Sequence, residues 1–314
     1  MEKIKYDVVI PVYNGEATLE ETIYSVLAQS SKPERIIVID DLSSDNSAQI
    51  ASRLGAEVYK NKFKLYSAGS RNRGLSLSTA PWVATIDADD LWNPDAISQL
   101  MHAVSVNPEI EVIGGLLSAF GNGPTEPYER RNLENLSKQL VQKLEFGDFL
   151  LGSPLAASAC LFRKDSLIRV GGWPMPTFAE DYHLLVEFVN AGAHVYRLNS
   201  RIGSYRLSVS QKSSQVGLQT NSQLIALRML FWNCEDSWPH EKAVFHVWLS
   251  YLARLQNAGK PFLKKDLPEQ FLQSRSRTFY RAASVLFESR TAWNLLGAVF
   301  VIRKRLRARK RRHP

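Results

Sequence analysis

Three carboxylates fall within four residues at Asp87-Ala88-Asp89-Asp90, directly after the apolar run Trp82–Ile86 (WVATI). Acids this close repel one another and raise each other's pKa unless a positive charge sits among them. A hard divalent cation is the usual answer, and Mg2+ or Mn2+ held by one or two carboxylates plus phosphate oxygens suits such a loop. A calcium loop does not fit, because no Gly and no distal Glu stand at the required spacing. A second acidic pair, Asp40-Asp41, closes another apolar run, and a third, Glu180-Asp181, opens an amphipathic stretch. Any one of these acids also suits a turn or a cap: Asp90 or Asn93 would cap a helix starting near Pro94.

The elements that must hold these acids read as alternating strands and helices. Asp7–Val12 (DVVIPV) and Arg35–Asp40 (RIIVID) are β-branched runs expected as strands buried on both faces. Thr18–Ala28 carries Leu19, Ile23, Val26 and Leu27 at helical period, and Asp45–Leu54 predicts a second short helix. Val58-Tyr59 predicts a weak third strand, Ser67–Thr79 a helix, and Trp82–Ile86 a fourth strand. This order predicts βαβ units, with the acids at the carboxyl ends of strands where ligands gather. Further on, helices are expected over Pro94–Val106, Leu133–Phe146 and Glu180–Ala191. Strands are expected over Val112–Leu117, Ala156–Phe162 and Val195–Leu198, with a Gly/Pro loop at Gly121–Pro127.

Composition places the chain among ordinary globular proteins: 314 residues, 45% hydrophobic and 22% charged, enough for a sizeable core. Cys160 and Cys234 are the two cysteines, too few and too isolated for a disulfide scaffold or zinc site, so a reducing compartment is expected. No secretory signal is recognised at the start, and the expected location is cytoplasmic. The net charge of +8 is local: Arg303–Pro314 holds eight Lys or Arg and no acid, and the rest is balanced. No specific nucleic-acid surface is therefore expected.

Four segments together carry a family likeness: Val8–Asn14 (VVIPVYN), Ile37–Ser47 (IVIDDLSSDNS), Gly69–Gly74 (GSRNRG) and Ile86–Trp92 (IDADDLW) followed by Pro94-Asp95. In this order and spacing they resemble the family 2 glycosyltransferases, inverting enzymes of GT-A fold, over about residues 6–207. The resemblance implies an α/β fold with a mixed, mainly parallel sheet flanked by helices; beyond it, the residue pattern from about Ser214 to Ser289 predicts a mostly helical C-terminal extension. The chain is expected to divide into a nucleotide-sugar-binding half (1–105), an acceptor-binding half (106–215) and the extension (216–314).

By the same resemblance, Pro11 and Tyr13 lie along the nucleoside, and Asp41 accepts a hydrogen bond from the base imide, favouring uracil or thymine. Arg71 helps neutralise the nucleotide. Asp89 is the metal ligand, with Asp87 and Asp90 supporting it or touching ribose and sugar. Leu42 departs from the family pattern, which has a small residue there, and bears on the shape of the base pocket. An inverting transfer needs a base opposite the leaving diphosphate; the resemblance points to Asp181, with Glu180 positioning it or the acceptor. A charged first helical turn is also ordinary by the macrodipole alone. Gly172 and Trp173 are expected under the sugar or acceptor, or as a turn with a packed Trp. Arg206 is expected near the diphosphate, although Leu207 stands where the family often has His. The Ser-rich stretch Ser208–Ser214 suits a loop ordered by the donor.

The implied partners are a nucleotide-sugar donor and a glycan or lipid-linked acceptor. Thr291–Ile302 is an uninterrupted apolar run of twelve residues, short of the roughly 20 that span a bilayer. Followed by eight cations, it predicts a peripheral anchor on an anionic membrane surface; a core helix with a solvated tail is the other reading. Two rival functions fit the residues less well. A sugar nucleotidyltransferase needs a Gly-rich basic loop after the first strand, and PVYNGE lacks it. A catalytically silent tethered nucleotide-binding protein would not need Asp87, Asp89, Asp90 and Asp181.

Overall fold

A computed structural model describes residues 4–123, 139–149, 153–175 and 179–208 of the chain. The expected helical extension (216–314), the basic tail and most of the Ser-rich loop lie outside the described residues.

The first strands form where the apolar runs predict them. β1 (Tyr6–Val12), β2 (Arg35–Asp40), β3 (Glu57–Lys60) and β4 (Trp82–Thr85) are linked by α1 (Leu19–Leu27), α2 (Ser47–Arg53) and α3 (Tyr66–Leu77). Then come β5 (Leu91–Trp92), α4 (Ala96–Val106), β6 (Val112–Gly121), β7 (Val141–Lys143), β8 (Cys160–Arg163), α5 (Lys164–Arg169), α6 (Glu180–Asn190) and β9 (Val195–Leu207). The sheet runs β3-β2-β1-β4-β8-β6-β9-β5, with β7 also paired to β9. Neighbours from β3 to β4 are parallel, as are β6 and β9, whereas β8 is antiparallel to both β4 and β6. The order reverses between β1 and β4, the kind of switch point where a ligand crevice opens at the strands' carboxyl ends.

Alternate residues of each central strand enter opposite layers of core. Val9, Ile37, Ile39, Val83 and Phe162 pack with Ala68 and Leu75 of α3 and with Leu184, Leu185 and Phe188 of α6. Val8, Ile10, Val38, Ala84 and Leu161 face Leu19, Ile23 and Val26 of α1 and Ile97 and Leu100 of α4. Burying one such side chain contributes about 1.5–3 kcal/mol, so both faces lock the strand ends in place. Helix α3 has no apolar stripe, and small residues let it approach the sheet. A Cβ on Gly74 would run into Val9 Cγ1. That close approach carries Arg71 of α3 inward to 2% exposure.

Three expectations are corrected. The helix expected over Leu133–Phe146 is, in its described part, the strand β7 and a 3₁₀ turn at Phe146–Phe149, because Val141–Lys143 pairs with Tyr196–Leu198. The strand expected from Ala156 starts at Cys160, after a 3₁₀ turn at Ala157–Ala159. The strand expected to stop at Leu198 continues to Leu207, since the length of β6 gives it partners throughout. Among the described residues, no helix is long and apolar enough to cross a membrane.

Candidate active site

The acidic loop after β4 is braced from three sides. Thr18 Oγ1 donates to the Ala88 carbonyl at 2.8 Å and Thr22 Oγ1 to the Asp90 carbonyl at 2.9 Å. The Asp87 amide donates to Ser158 Oγ at 3.0 Å. From β9, the Arg206 amide donates to Asp90 Oδ1 at 2.9 Å and Arg206 Nε to the Asp89 carbonyl at 2.8 Å. These bonds place the three carboxylates differently. Asp90 is fully buried, while Asp87 and Asp89 keep exposed surface at the strand ends. Burial, and then the negative charges of Asp87 and Asp89, hold the Asp90 carboxyl well above the usual carboxylate range.

That electrostatic state bears on whether the residues suit a divalent cation. The Asp90 Oδ2 atom is buried without a hydrogen-bond partner beside two further acids, a crowding of like groups that a cation would relieve. Among the described residues, no three His, Cys, Asp or Glu side chains converge as a complete cage. One or two carboxylates completed by phosphate and water is the Mg2+ or Mn2+ pattern, not the Ca2+ one. The residues fit such an ion, with Asp87 and Asp89 as the accessible donors.

Arg71 joins this loop to the other half of the cleft. Its guanidinium pairs with Asp87 Oδ1 through one nitrogen and with Glu180 Oε1, at 2.8 Å, through another. Burial opposes the Arg71 charge, but Asp87 and Glu180 outweigh it and hold its pKa above the ordinary value. Beside Glu180, in the first turn of α6, Asp181 Oδ1 accepts from the Tyr182 amide at 2.8 Å. Burial, and then the charge of Glu180, push the Asp181 carboxyl up to about 6, against the opposing pull of Arg71. Arg71 thus ties Asp87, on the expected donor side, to Glu180, the chain neighbour of the expected base.

At the other end, Pro11 sits in β1 opposite Ile39, and Tyr13 follows with 56% of its surface exposed. Asp41 is 3% exposed. Its carboxylate receives the Leu65 and Tyr66 amides and Asn61 Nδ2 at 2.8–2.9 Å, so it tethers the loop between β3 and α3. Leu42, the departure from the family pattern, is exposed and has a positive φ of 65°.

Of the expected substrate residues, Trp173 and Gly172 face protein. Trp173 is 1% exposed and packs edge-on against Phe162, with ring centroids 5.4 Å apart; it is a core aromatic, not an acceptor platform. Gly172 has φ +73°, and a Cβ there would collide with Asn72 Oδ1; its close approach is to Asn72, not to a sugar. The Arg206 guanidinium pairs with Glu21 and covers the Phe120 ring at 4.4 Å while its Nε holds the Asp89 carbonyl, so it stays at the acidic loop. Sequence reasoning missed Asn72, which bonds Trp173 reciprocally through its carbonyl and amide, each at 2.7 Å. It also missed Ser158 and Lys64. Asn72 lies inside the GSRNRG segment and was within reach of the motif; Ser158 and Lys64 carried no signal.

A family model described as glycosyl transferase family 2 matches residues 7–171, just over half of the chain. The chain belongs to that family. A putative glycosyltransferase of Bacillus subtilis, EpsE, is 33% identical to this family 2 chain over 212 residues, covering 64% of the chain and 73% of EpsE. The amylovoran biosynthesis glycosyltransferase AmsB of Erwinia amylovora is 36% identical over 107 residues, covering 32% of this chain and 35% of AmsB. An uncharacterized Nostoc glycosyltransferase matches over 53% of its length. The chain thus spans about a third to a half of these last two relatives. Two solved structures share the GT-A fold. A mannosyltransferase, PcManGT of Pyrobaculum calidifontis, in complex with GDP-Man and Mn2+, has a TM-score of 0.61 at 14% identity, covering 94% of this chain and 86% of that one. S. aureus TarS in complex with UDP-GlcNAc has 0.59 at 16% identity, covering 81% and 73%.

Proposed function

We propose that this family 2 chain is an inverting glycosyltransferase that moves a sugar from a UDP or dTDP donor to a hydroxyl of a glycan or lipid-linked acceptor. The observation that carries the reading is the Arg71 bridge, which draws Asp87 of one half and Glu180 of the other to a single buried cation. A buried cation between two acidic elements holds the Asp181 carboxyl beside the diphosphate end of the cleft. Names among the relatives support polysaccharide assembly: amylovoran biosynthesis for AmsB, and a poly-β-1,6-N-acetyl-D-glucosamine synthase of Staphylococcus aureus at 24% identity. The nucleotide sugars and Mn2+ in the fold neighbours support a nucleotide-sugar donor and a divalent ion.

In this reading Pro11 and Tyr13 line the nucleoside, and Asp41 shapes the base end through the loop that it tethers. Asp87 and Asp89 would hold Mg2+ or Mn2+, while Asp90 fixes their loop to β9. The ion, when bound, offsets negative charge on the leaving diphosphate. Arg71 supplies fixed positive charge at the same end. The Asp181 carboxylate takes the proton of the acceptor hydroxyl as the oxygen attacks the anomeric carbon, giving inversion by one displacement. A carboxyl with a pKa of about 6 is a stronger base than an ordinary one and is still ionised at neutral pH. Glu180, held by Arg71, keeps the first turn of α6 in place. The halves divide near residue 105, and the basic tail contributes contact with an anionic membrane surface.

The reading is tested by titrating UDP and dTDP into the protein with Mn2+ or Mg2+ and with chelator. Binding in the micromolar-to-millimolar range, about what enzymes show for substrates, is expected with metal. Equal binding in chelator contradicts the metal assignment.

A further inference from the structure

Two consecutive residues of α3 reach across to the segment that leads into α6. Asn72 Nδ2 donates to the Trp173 carbonyl, and the Trp173 amide donates back to Asn72 Oδ1, both at 2.7 Å. Arg71 Nη1 donates to Glu180 Oε1 at 2.8 Å. Three residues earlier on the helix, a Cβ on Gly69 would stand 2.6 Å from Met175 Sδ, so Met175 already fills that space. Helix α3 therefore grips the chain at Trp173 and Met175 and again at Glu180, on either side of the entry into α6.

The backbone at those grips is not relaxed. Ala179, the residue before α6, has φ +62°, a left-handed conformation that is costly for a residue carrying a Cβ. Gly172, at φ +73°, lies so close under Asn72 that a Cβ there would be 2.4 Å from Oδ1. Such backbone persists only where its surroundings over-determine it. Downstream of Ala179, the Arg71–Glu180 pair does the holding. Upstream, it falls to Asn72, which exchanges both a donor and an acceptor with one residue, as hydrogen-bonded partners in antiparallel strands do. That exchange fixes direction as well as position. Trp173 then enters the same core cluster as Ala179, Tyr182 and Leu185, so the anchored residue and the first turn of α6 pack as one body.

We propose that Asn72 is a positioning residue for the transfer step: by fixing Trp173 to α3, it sets where the first turn of α6 presents Asp181. This rests on the reading above in which Asp181 is the base, and it adds the residue that aims it. Asn72 acts through Trp173, whose main chain engages both ends of its amide. The acidic loop has separate braces, from Thr18, Thr22, Ser158 and the Arg206 amide. Loss of Asn72 therefore misplaces the base and leaves the donor end as it was.

The test compares wild type with Asn72→Ala by hydrogen exchange read by mass spectrometry, by titration of UDP with Mn2+, and by turnover of a nucleotide sugar that wild type cleaves. Peptides covering α6 are expected to exchange at least about tenfold faster in the variant, with those of β1, β2 and α1 unchanged. UDP affinity and donor KM should stay within about twofold of wild type, the pattern of an interaction felt at the transition state. The kcat should fall by about tenfold to a hundredfold, as a small misplacement of a reacting group does. Ile97→Val, a core change in the opposite layer, controls for lost stability alone and should keep the wild-type kcat. Exchange that rises equally in every segment, or a wild-type kcat in Asn72→Ala below its melting temperature, overturns the proposal. If Asn72→Ala fails to fold, Asn72→Asp carries the same measurements, since it keeps the acceptor for the Trp173 amide and lacks the donor for its carbonyl. Wild-type protein that neither binds UDP nor cleaves a nucleotide sugar contradicts the underlying reading, while the exchange data still decide whether Asn72 holds α6.

Discussion

Replacing Asp181 with Asn should make the protein more stable and nearly inactive at once. The carboxyl is held at about 6 instead of 3.8, chiefly by burial. Because the folded state binds that proton more tightly than the unfolded chain, the group stabilises most at low pH. That stability is lost as pH rises from about 4 to about 6. Across that window the displacement corresponds to about 3 kcal/mol, reduced to about 1–3 kcal/mol because part of the side chain meets water. Asn keeps the acceptor for the Tyr182 amide and has nothing to ionise, so Asp181→Asn escapes the penalty. Its advantage should be near zero below about pH 4 and complete above about pH 6, where each kcal/mol raises the melting temperature by about 2–4 °C. Activity runs the opposite way. Wild-type kcat/KM should rise with pH to a plateau with its midpoint near 6, and Asp181→Asn should lose about 10²–10⁴-fold. Thermal melts from pH 4 to 8 and nucleoside diphosphate release test both arms. A variant that melts below wild type at pH 7.5, or transfers within tenfold of it, refutes the reasoning.

Asp89→Asn should lower transfer by about 10²–10³-fold and make nucleotide binding insensitive to chelator. Gly172→Ala places a Cβ against Asn72 Oδ1 at a positive φ; a loss of about 1–3 kcal/mol in urea unfolding is expected, with UDP affinity retained. Removing Arg303–Pro314 should release the protein from anionic vesicles, each of the eight basic groups contributing about 1 kcal/mol at such a surface; unchanged sedimentation with the vesicles counts against the tail's role.

The parts of the fold legible in the sequence are those set by local pattern. Arg35–Asp40 is apolar and β-branched, and a strand buried on both faces needs nothing else. The acids that end β2 and β4 could be placed at the crevice because parallel strands put all their carboxyl ends on one edge. What distant partners decide was not legible. Val141–Lys143 has the spacing of a helix, yet pairing with β9 makes it a strand. The Asp41 lone pairs are taken by residues 20 to 25 positions later, which no motif records. Arg206 turns to Glu21, 185 residues away, because the β6–β9 ladder sets the direction of its side chain. Trp173 after two glycines suits a sugar platform or a packed core equally well; only the position of Phe162 separates them.

The most direct test of the central claim is turnover of a panel of nucleotide sugars, read as release of nucleoside diphosphate with Mn2+ or Mg2+ and with chelator. One uridine or thymidine donor should be cleaved with metal, and not by Asp89→Asn. Cleavage of no member of the panel, or equal cleavage by wild type and Asp89→Asn, would contradict it.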